Sequence, residues 1–187
     1  VNKMAETVAS TGKVDENKFE QGILNEDFDV IKEQIEAGIN VNKKLSTGFL
    51  PINEIITPAL GLLVEITSPN IMIVKLLLQG GADLNKQSGL EGSTPLTQAS
   101  FYGYLNIVKL LVDCGADINS SDKSNASALM YSTMCKNDNK YEIAEYLLKK
   151  GADVNRKEST IGLNALGGAM RFNDTKMIQL LKKYGAK

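Results

Sequence analysis

The chain contains no histidine and no tryptophan, and only two of its 187 residues are cysteine. Without histidine it lacks the commonest general base, the commonest activator of a nucleophile and the commonest zinc ligand. Cys114 and Cys135 form no C-x-x-C pair and have no companion ligands, so we expect them to act as small apolar side chains. These absences weigh against an enzyme, and we predict no catalytic residue, no metal and no cofactor.

Arginine is also scarce, since Arg156 and Arg171 are the only two among 21 basic residues and the formal net charge is −1. Nucleic-acid binding requires a basic field and forked guanidinium donors, so we predict no nucleic-acid partner. No uninterrupted apolar run approaches the roughly 18 residues of a membrane span, so we predict no membrane insertion. We expect a monomer, with a cytoplasmic location slightly favoured over export, and the first residue, Val1, suggests that an upstream segment was removed or omitted.

A five-residue motif recurs along the chain at a nearly constant interval. It reads GINVN at 38–42, GADLN at 81–85, GADIN at 115–119 and GADVN at 151–155, and a truncated GAK occupies 185–187. An amphipathic run precedes each copy, and a second marker, TPAL from Thr57 and TPLT from Thr94, keeps step with the first. Two markers in step at about 34 residues indicate an internal repeat whose units stack on one another.

The residues of the two markers predict two short helices in each unit. Thr94 is a good N-cap, and Pro95 then occupies the first helical position, where its missing N–H costs nothing. Gly115 follows the second helix, where the chain needs a left-handed residue. The Asp and Asn after it are turn residues that hydrogen-bond their own backbone.

This pattern resembles the ankyrin repeat, most closely at 89–119, GLEGSTPLTQASFYGYLNIVKLLVDCGADIN. The resemblance covers about 15–187 and implies an all-α, ankyrin-type solenoid of stacked helix-turn-helix repeats with hairpin loops. It also places the two cysteines at opposite ends of antiparallel helices, about 10 Å or more apart, which is too far for a disulfide. We predict a mobile leader at 1–14 and one domain, 15–187, whose five repeats lie at about 15–42, 43–85, 86–119, 120–155 and 156–187.

Several positions depart from the pattern. The second and fourth repeats carry three extra residues between their helices, at about 65–68 and 136–138. In the first repeat Glu33 and Gln34 replace leucines, and the last repeat ends with polar Gln179 and two lysines. End repeats have no neighbour on one side, so we expect these polar residues to face water.

Aligning the repeats places a set of apolar and aromatic residues at the variable positions that, in the family, face the inner groove. We predict a partner-binding surface centred on Phe101, Tyr102, Met134 and Phe172. Contiguous exposed apolar surface usually marks a contact site, and aromatics are the usual anchors. The full predicted set is Val64, Glu65, Leu90, Phe101, Tyr102, Met134, Arg171 and Phe172. The alternative is that these rings lie over the next repeat and complete the core; Tyr104, next to Gly103, is expected to pack at the turn between helices.

Two functional classes remain open. The first is a binding module that holds, scaffolds or inhibits another protein through the concave groove formed by hairpin tips and first helices. The second is an ankyrin-like frame carrying an unusual enzymatic site, built from carboxylates or a thiol. A further alternative is that the chain is the interaction part of a larger multidomain protein.

Overall fold

The computed structural model describes residues 13–46, 56–58, 70–89 and 91–187. Its described residues form nine helices and two short strands. The elements are α1 (Glu16–Leu24), α2 (Phe28–Glu36), β1 (Lys44–Ser46), β2 (Ile56–Pro58), α3 (Ile71–Gln79), α4 (Pro95–Tyr102), α5 (Leu105–Asp113), α6 (Ala128–Met134), α7 (Asn139–Lys149), α8 (Ala165–Arg171) and α9 (Thr175–Lys183). The leader expected at 1–14 and the first helix expected in the second repeat fall largely outside the described residues.

The helices are arranged in two layers, which confirms the predicted all-α solenoid. The first helices α4, α6 and α8 pack side by side, and the second helices α3, α5, α7 and α9 form a parallel row behind them. Leu96, Leu129 and Leu166, at the same position in three successive repeats, are buried between the layers. One continuous apolar core therefore runs through the stack, as expected for repeats that bury their faces against neighbours.

The ends of the helices follow the local sequence. The Thr94 hydroxyl accepts a hydrogen bond from the Thr97 amide, and Pro95 is the first helical residue, as predicted. Gly115 has φ of +96°, which confirms the predicted left-handed stop after the second helix. The antiparallel strands β1 and β2 pair within the hairpin loop of the second repeat, with Leu45 opposite Thr57.

The polar pentapeptide bonds both within and between repeats. Asp117 accepts from the amide of Asn119, two residues later, as the turn prediction required. The side chain of Asn119 instead reaches the next repeat, where it accepts from the Asp153 amide at 2.9 Å and donates to the Gly151 carbonyl at 3.4 Å. Asn42 and Asn155 make the same pair of bonds. The recurrent asparagine thus joins successive loops, a role that the turn rule did not predict.

One prediction about exposure was wrong. Gln34 does not face water: it is 1% exposed, and its Oε1 accepts from the Asp15 amide at 2.7 Å. The buried glutamine thereby pairs a main-chain donor at the start of α1, while the neighbouring Glu33 is exposed and pairs with Lys18. Both cysteines are free thiols, but Cys114 is exposed and only Cys135 is a buried small residue.

Candidate functional site

The predicted site residues lie at the C-terminal ends of three adjacent first helices. Phe101 and Tyr102 end α4, Met134 ends α6, and Arg171 and Phe172 end α8. Because α6 packs against both α4 and α8, these helix ends follow one another across three repeats. Val64, Glu65 and Leu90, the other predicted members, lie outside the described residues.

The rest of α4 is buried in the core. Its residues 95–100 are all buried, and the Ser100 hydroxyl donates to the Leu96 carbonyl within the helix. Phe101 and Tyr102 are each 39% exposed, although large apolar side chains are usually buried. Packing in the repeat core therefore explains the residue types at the first six positions of the helix, but it does not explain the two aromatic residues at its end.

The aromatic rings of the third and fourth repeats contact one another edge to face. The ring of Phe101 lies 5.2 Å from that of Tyr102 and 6.0 Å from that of Tyr131, at interplanar angles of 75° and 86°. Tyr102 stacks on Tyr104 at 5.7 Å. Perpendicular and offset rings attract one another beyond their area burial. Phe101 thus contacts the next repeat and is also partly open to solvent.

The side chains of Asn137 and Asn139 in the fourth repeat, which we call the bracket, hold the turn after these rings. Nδ2 of Asn137 donates to the Tyr102 carbonyl at 3.0 Å, and Nδ2 of Asn139 donates to the Gly103 carbonyl at 3.0 Å. The Asn139 amide in turn donates to Oδ1 of Asn137. Carbonyls in the last turn of a helix lack intrahelical partners, so these bonds satisfy groups that the helix leaves open. The inserted segment 136–138 therefore fixes the end of α4 in the neighbouring repeat.

Gly103 allows the bracket to approach this closely. Its φ is +79°, in the left-handed region, and a Cβ built there would lie 2.5 Å from Cγ of Asn137. Glycine adopts this conformation without steric cost and leaves room for the amide. As expected from the sequence, Tyr104 is partly buried and packs against the core at this turn.

Tyr131 was not predicted as part of the site. Its hydroxyl donates to Oδ2 of Asp122 at 2.6 Å, and Asp122 accepts from the amides of Ser124 and Ala126 with its other oxygen. Burial, reinforced by the hydrogen bond to Asp122, raises the pKa of the Tyr131 hydroxyl far above its ordinary value. The tyrosine stays neutral and anchors its ring beside Phe101. Its position matches that of Gln98 in α4, which is buried, so the alignment gave no sign of a ring contact.

The fourth and fifth repeats extend the exposed apolar surface. Met134 is 46% exposed and Phe172 57% exposed, and together with Phe101 and Tyr102 they make up what we call the apolar stripe. Met170, also half exposed, was missed. It occupies the position of Ser100 and Thr133, which are buried, so the alignment indicated a core residue. Its exposure arises because nothing in the described residues packs on the far side of α8.

The described segments contain no cluster of three or more histidine, cysteine or acidic side chains placed to bind a metal ion. Among the same residues no helix is both long enough and apolar enough to cross a membrane. What the site offers is therefore aromatic and thioether surface with one arginine beside it.

Comparison with known families identifies one match. The family model described as ankyrin repeats (three copies) matches residues 62–158, just over half of the chain. No curated protein matches the sequence. Proteins built from these repeats generally serve as protein–protein interaction modules and are typically not enzymes.

Proposed function

The chain belongs to the ankyrin repeat family, and we propose that it binds a partner protein through the concave groove formed by hairpin tips and first helices. The contact is centred on the apolar stripe. The observation that supports this most is the exposure of Phe101 and Tyr102 at the end of a helix whose other residues are all buried. The repeat fold does not need aromatic residues there, and aromatics dominate the energetics of protein interfaces.

The bracket on α4 supports the same proposal. A surface that binds a partner gains affinity when its side chains are ordered beforehand, because less conformational entropy is then lost on binding. The bonds from Asn137 and Asn139 order the helix end, and the ring contacts with Tyr131 and Tyr104 restrict the two exposed aromatics. The two exposed aromatics of the stripe are thus ordered before a partner binds.

Affinity capture tests the proposal. Wild-type protein and the double variant Phe101→Ala/Tyr102→Ala are immobilised and exposed to the same cell lysate, and the captured proteins are quantified by mass spectrometry. Phe28→Ala is the matched control, since Phe28 is 37% exposed but lies on α2 in the first repeat. A partner recovered by wild type and control but lost by the double variant supports the proposal. Equal recovery by all three, with circular dichroism unchanged, rules the stripe out as the contact.

A further inference from the structure

The two arginines of the chain have opposite environments. Arg156 is used internally: its guanidinium donates to the Asn119 carbonyl, to Oδ1 of Asn125 and to the Ser121 hydroxyl. Arg171 is exposed in the last turn of α8, and its guanidinium makes no hydrogen bond or ion pair with any described residue. A cation there matches the helix dipole, but the five N–H donors of the planar fork still face solvent.

A second cation that forms no ion pair with a described residue lies near the stripe. Lys136 is exposed, follows Met134 by two residues and precedes the bracketing Asn137. The next lysine along, Lys140, is by contrast neutralised by Asp174 at 2.5 Å. One exposed carboxylate, Asp138, shares the loop with Lys136. Arg171 and Lys136 are thus two exposed cations without an ion pair to a described residue, both beside the Met134 and Phe172 end of the stripe, whereas Asp122 lies at the other end beside Tyr131.

The residues at one equivalent position in three successive repeats form a row across the ends of the first helices. Phe101, Met134 and Arg171 each lie seven residues after the residue that caps their helix, so the row changes from aromatic to thioether to guanidinium. Neighbouring packed helices lie about 8–10 Å apart, which places Phe101 and Arg171 about 20 Å from each other. An extended segment rises about 3.3 Å per residue and covers that distance in about six residues.

We propose that the apolar stripe accepts an extended partner segment with an apolar anchor over Phe101 and Tyr102 and a carboxylate at Arg171, about six residues away. This rests on the proposed function and adds the chemistry of the partner to it. Charge complementarity selects the carboxylate: the planar fork of arginine pairs with a carboxylate through two parallel hydrogen bonds. It also fixes which part of the segment lies over which repeat, since the anchor and the acid lie at opposite ends of the row.

A phage-displayed library of random 12-residue peptides provides the probe. The library is selected on immobilised wild type, on Arg171→Glu, on Phe101→Ala/Tyr102→Ala and on Lys86→Glu, and the enriched pools are sequenced. Lys86 is the matched charge control: it is exposed, but it lies in the polar loop after α3, at the end of the repeats where the first helices begin. The best wild-type peptide is then synthesised and its dissociation constant measured for each variant.

We expect wild type and Lys86→Glu to enrich peptides with an aromatic or large aliphatic residue about six positions from Asp or Glu. Arg171→Glu should lose the acidic preference and bind the synthetic peptide roughly threefold to tenfold more weakly, the range of an exposed ion pair and its reversal. Enrichment that depends on Phe101 and Tyr102 but shows no acidic preference, or keeps it in Arg171→Glu, overturns this inference and leaves the proposed function standing. No enrichment, or enrichment indifferent to the aromatic pair, overturns both.

Discussion

Nδ2 of Asn137 donates a hydrogen bond to the main-chain carbonyl of Tyr102 at 3.0 Å, so a residue inserted in the fourth repeat supports a helix end in the third. This bond links the position of the exposed aromatics to a loop that is 35 residues away in sequence. The insertion is therefore part of how the stripe is built, and four predictions test the contacts around it and the stack that carries it.

Replacing Asn137 with alanine should destabilise the protein by about 1–3 kcal/mol, the usual contribution of two hydrogen bonds. The substitution removes the bond to Tyr102 and also the acceptor that Oδ1 offers to the Asn139 amide. Urea unfolding followed by circular dichroism measures the change. Asn106→Ala is the control, since Asn106 is exposed in α5 and its side chain makes no hydrogen bond with the described residues. Equal stability of the two variants would show that the bracket does not stabilise the turn.

Gly103→Ala should destabilise the fold more than Gly115→Ala. Both glycines have positive φ, which costs an alanine about 1–2 kcal/mol. A Cβ at Gly115 meets no atom within 4 Å, whereas one at Gly103 collides with the Asn137 amide, adding about 1–3 kcal/mol of overpacking. The double variant Gly103→Ala/Asn137→Ala should recover part of the difference, because it removes the colliding group. A strictly additive double variant, measured by the same unfolding assay, would refute the predicted clash.

Asn119→Ala should lower the thermal unfolding midpoint, because it removes both bonds that the Asn119 side chain makes to the loop of the next repeat. Two hydrogen bonds contribute about 1–3 kcal/mol together. Asn119→Asp keeps an acceptor for the Asp153 amide and loses the donor to the Gly151 carbonyl, so its midpoint should fall between the other two. Scanning calorimetry on the three proteins gives the order, and an alanine variant as stable as wild type would disprove the role of the asparagine between repeats.

Acid should weaken the contact between α7 and α9. Burial by itself raises the pKa of the Asp174 carboxyl, but the Lys140 ammonium and the Met177 amide outweigh it and hold the pKa below its usual range. A carboxyl whose pKa is lowered on folding contributes stability above its unfolded pKa of about 3.9 and loses it as pH falls through the folded value. Wild type should therefore be more stable than Asp174→Asn at pH 7, and the difference should shrink between about pH 5 and pH 3.

Asparagine is a suitable control at position 174. It can still accept from the Met177 amide as an N-cap, so the variant removes the charge and keeps the cap. Urea unfolding at a series of pH values gives the two stability curves. Curves that stay parallel down to pH 3 would show that the Lys140–Asp174 pair contributes nothing to folding.

Much of this structure could be predicted from the sequence, because the repeat encodes it several times. The cap at Thr94, the glycine stop at Gly115 and the layered helices all follow from local rules that recur every repeat. The burial of Gln34 could not be predicted in the same way, because a polar residue at a core position of the repeat is expected to be exposed. Its hydrogen-bond partner is the main-chain amide of Asp15, which the side-chain pattern does not indicate.

The sequence indicated which described positions of the candidate site are exposed, but not how the residues around them are arranged. The alignment identified Phe101 and Tyr102 as residues that the repeat does not require, and both are exposed. It could not show that Asn137 and Asn139 reach back to the preceding repeat, because a contact between an insertion and its neighbour has no counterpart in the other units. Contacts that occur once lie outside what a repeating pattern can predict.

The most direct test of the central claim is the dissociation constant of a captured, purified partner for wild type, Phe101→Ala/Tyr102→Ala and the Phe28→Ala control. Aromatic hot spots contribute about 2 kcal/mol or more when truncated, so the double variant should bind at least about tenfold more weakly while the control binds as wild type does. Calorimetric titration of the three folded proteins gives these values. A double variant that binds within about twofold of wild type, a difference of about 0.4 kcal/mol, would contradict the account.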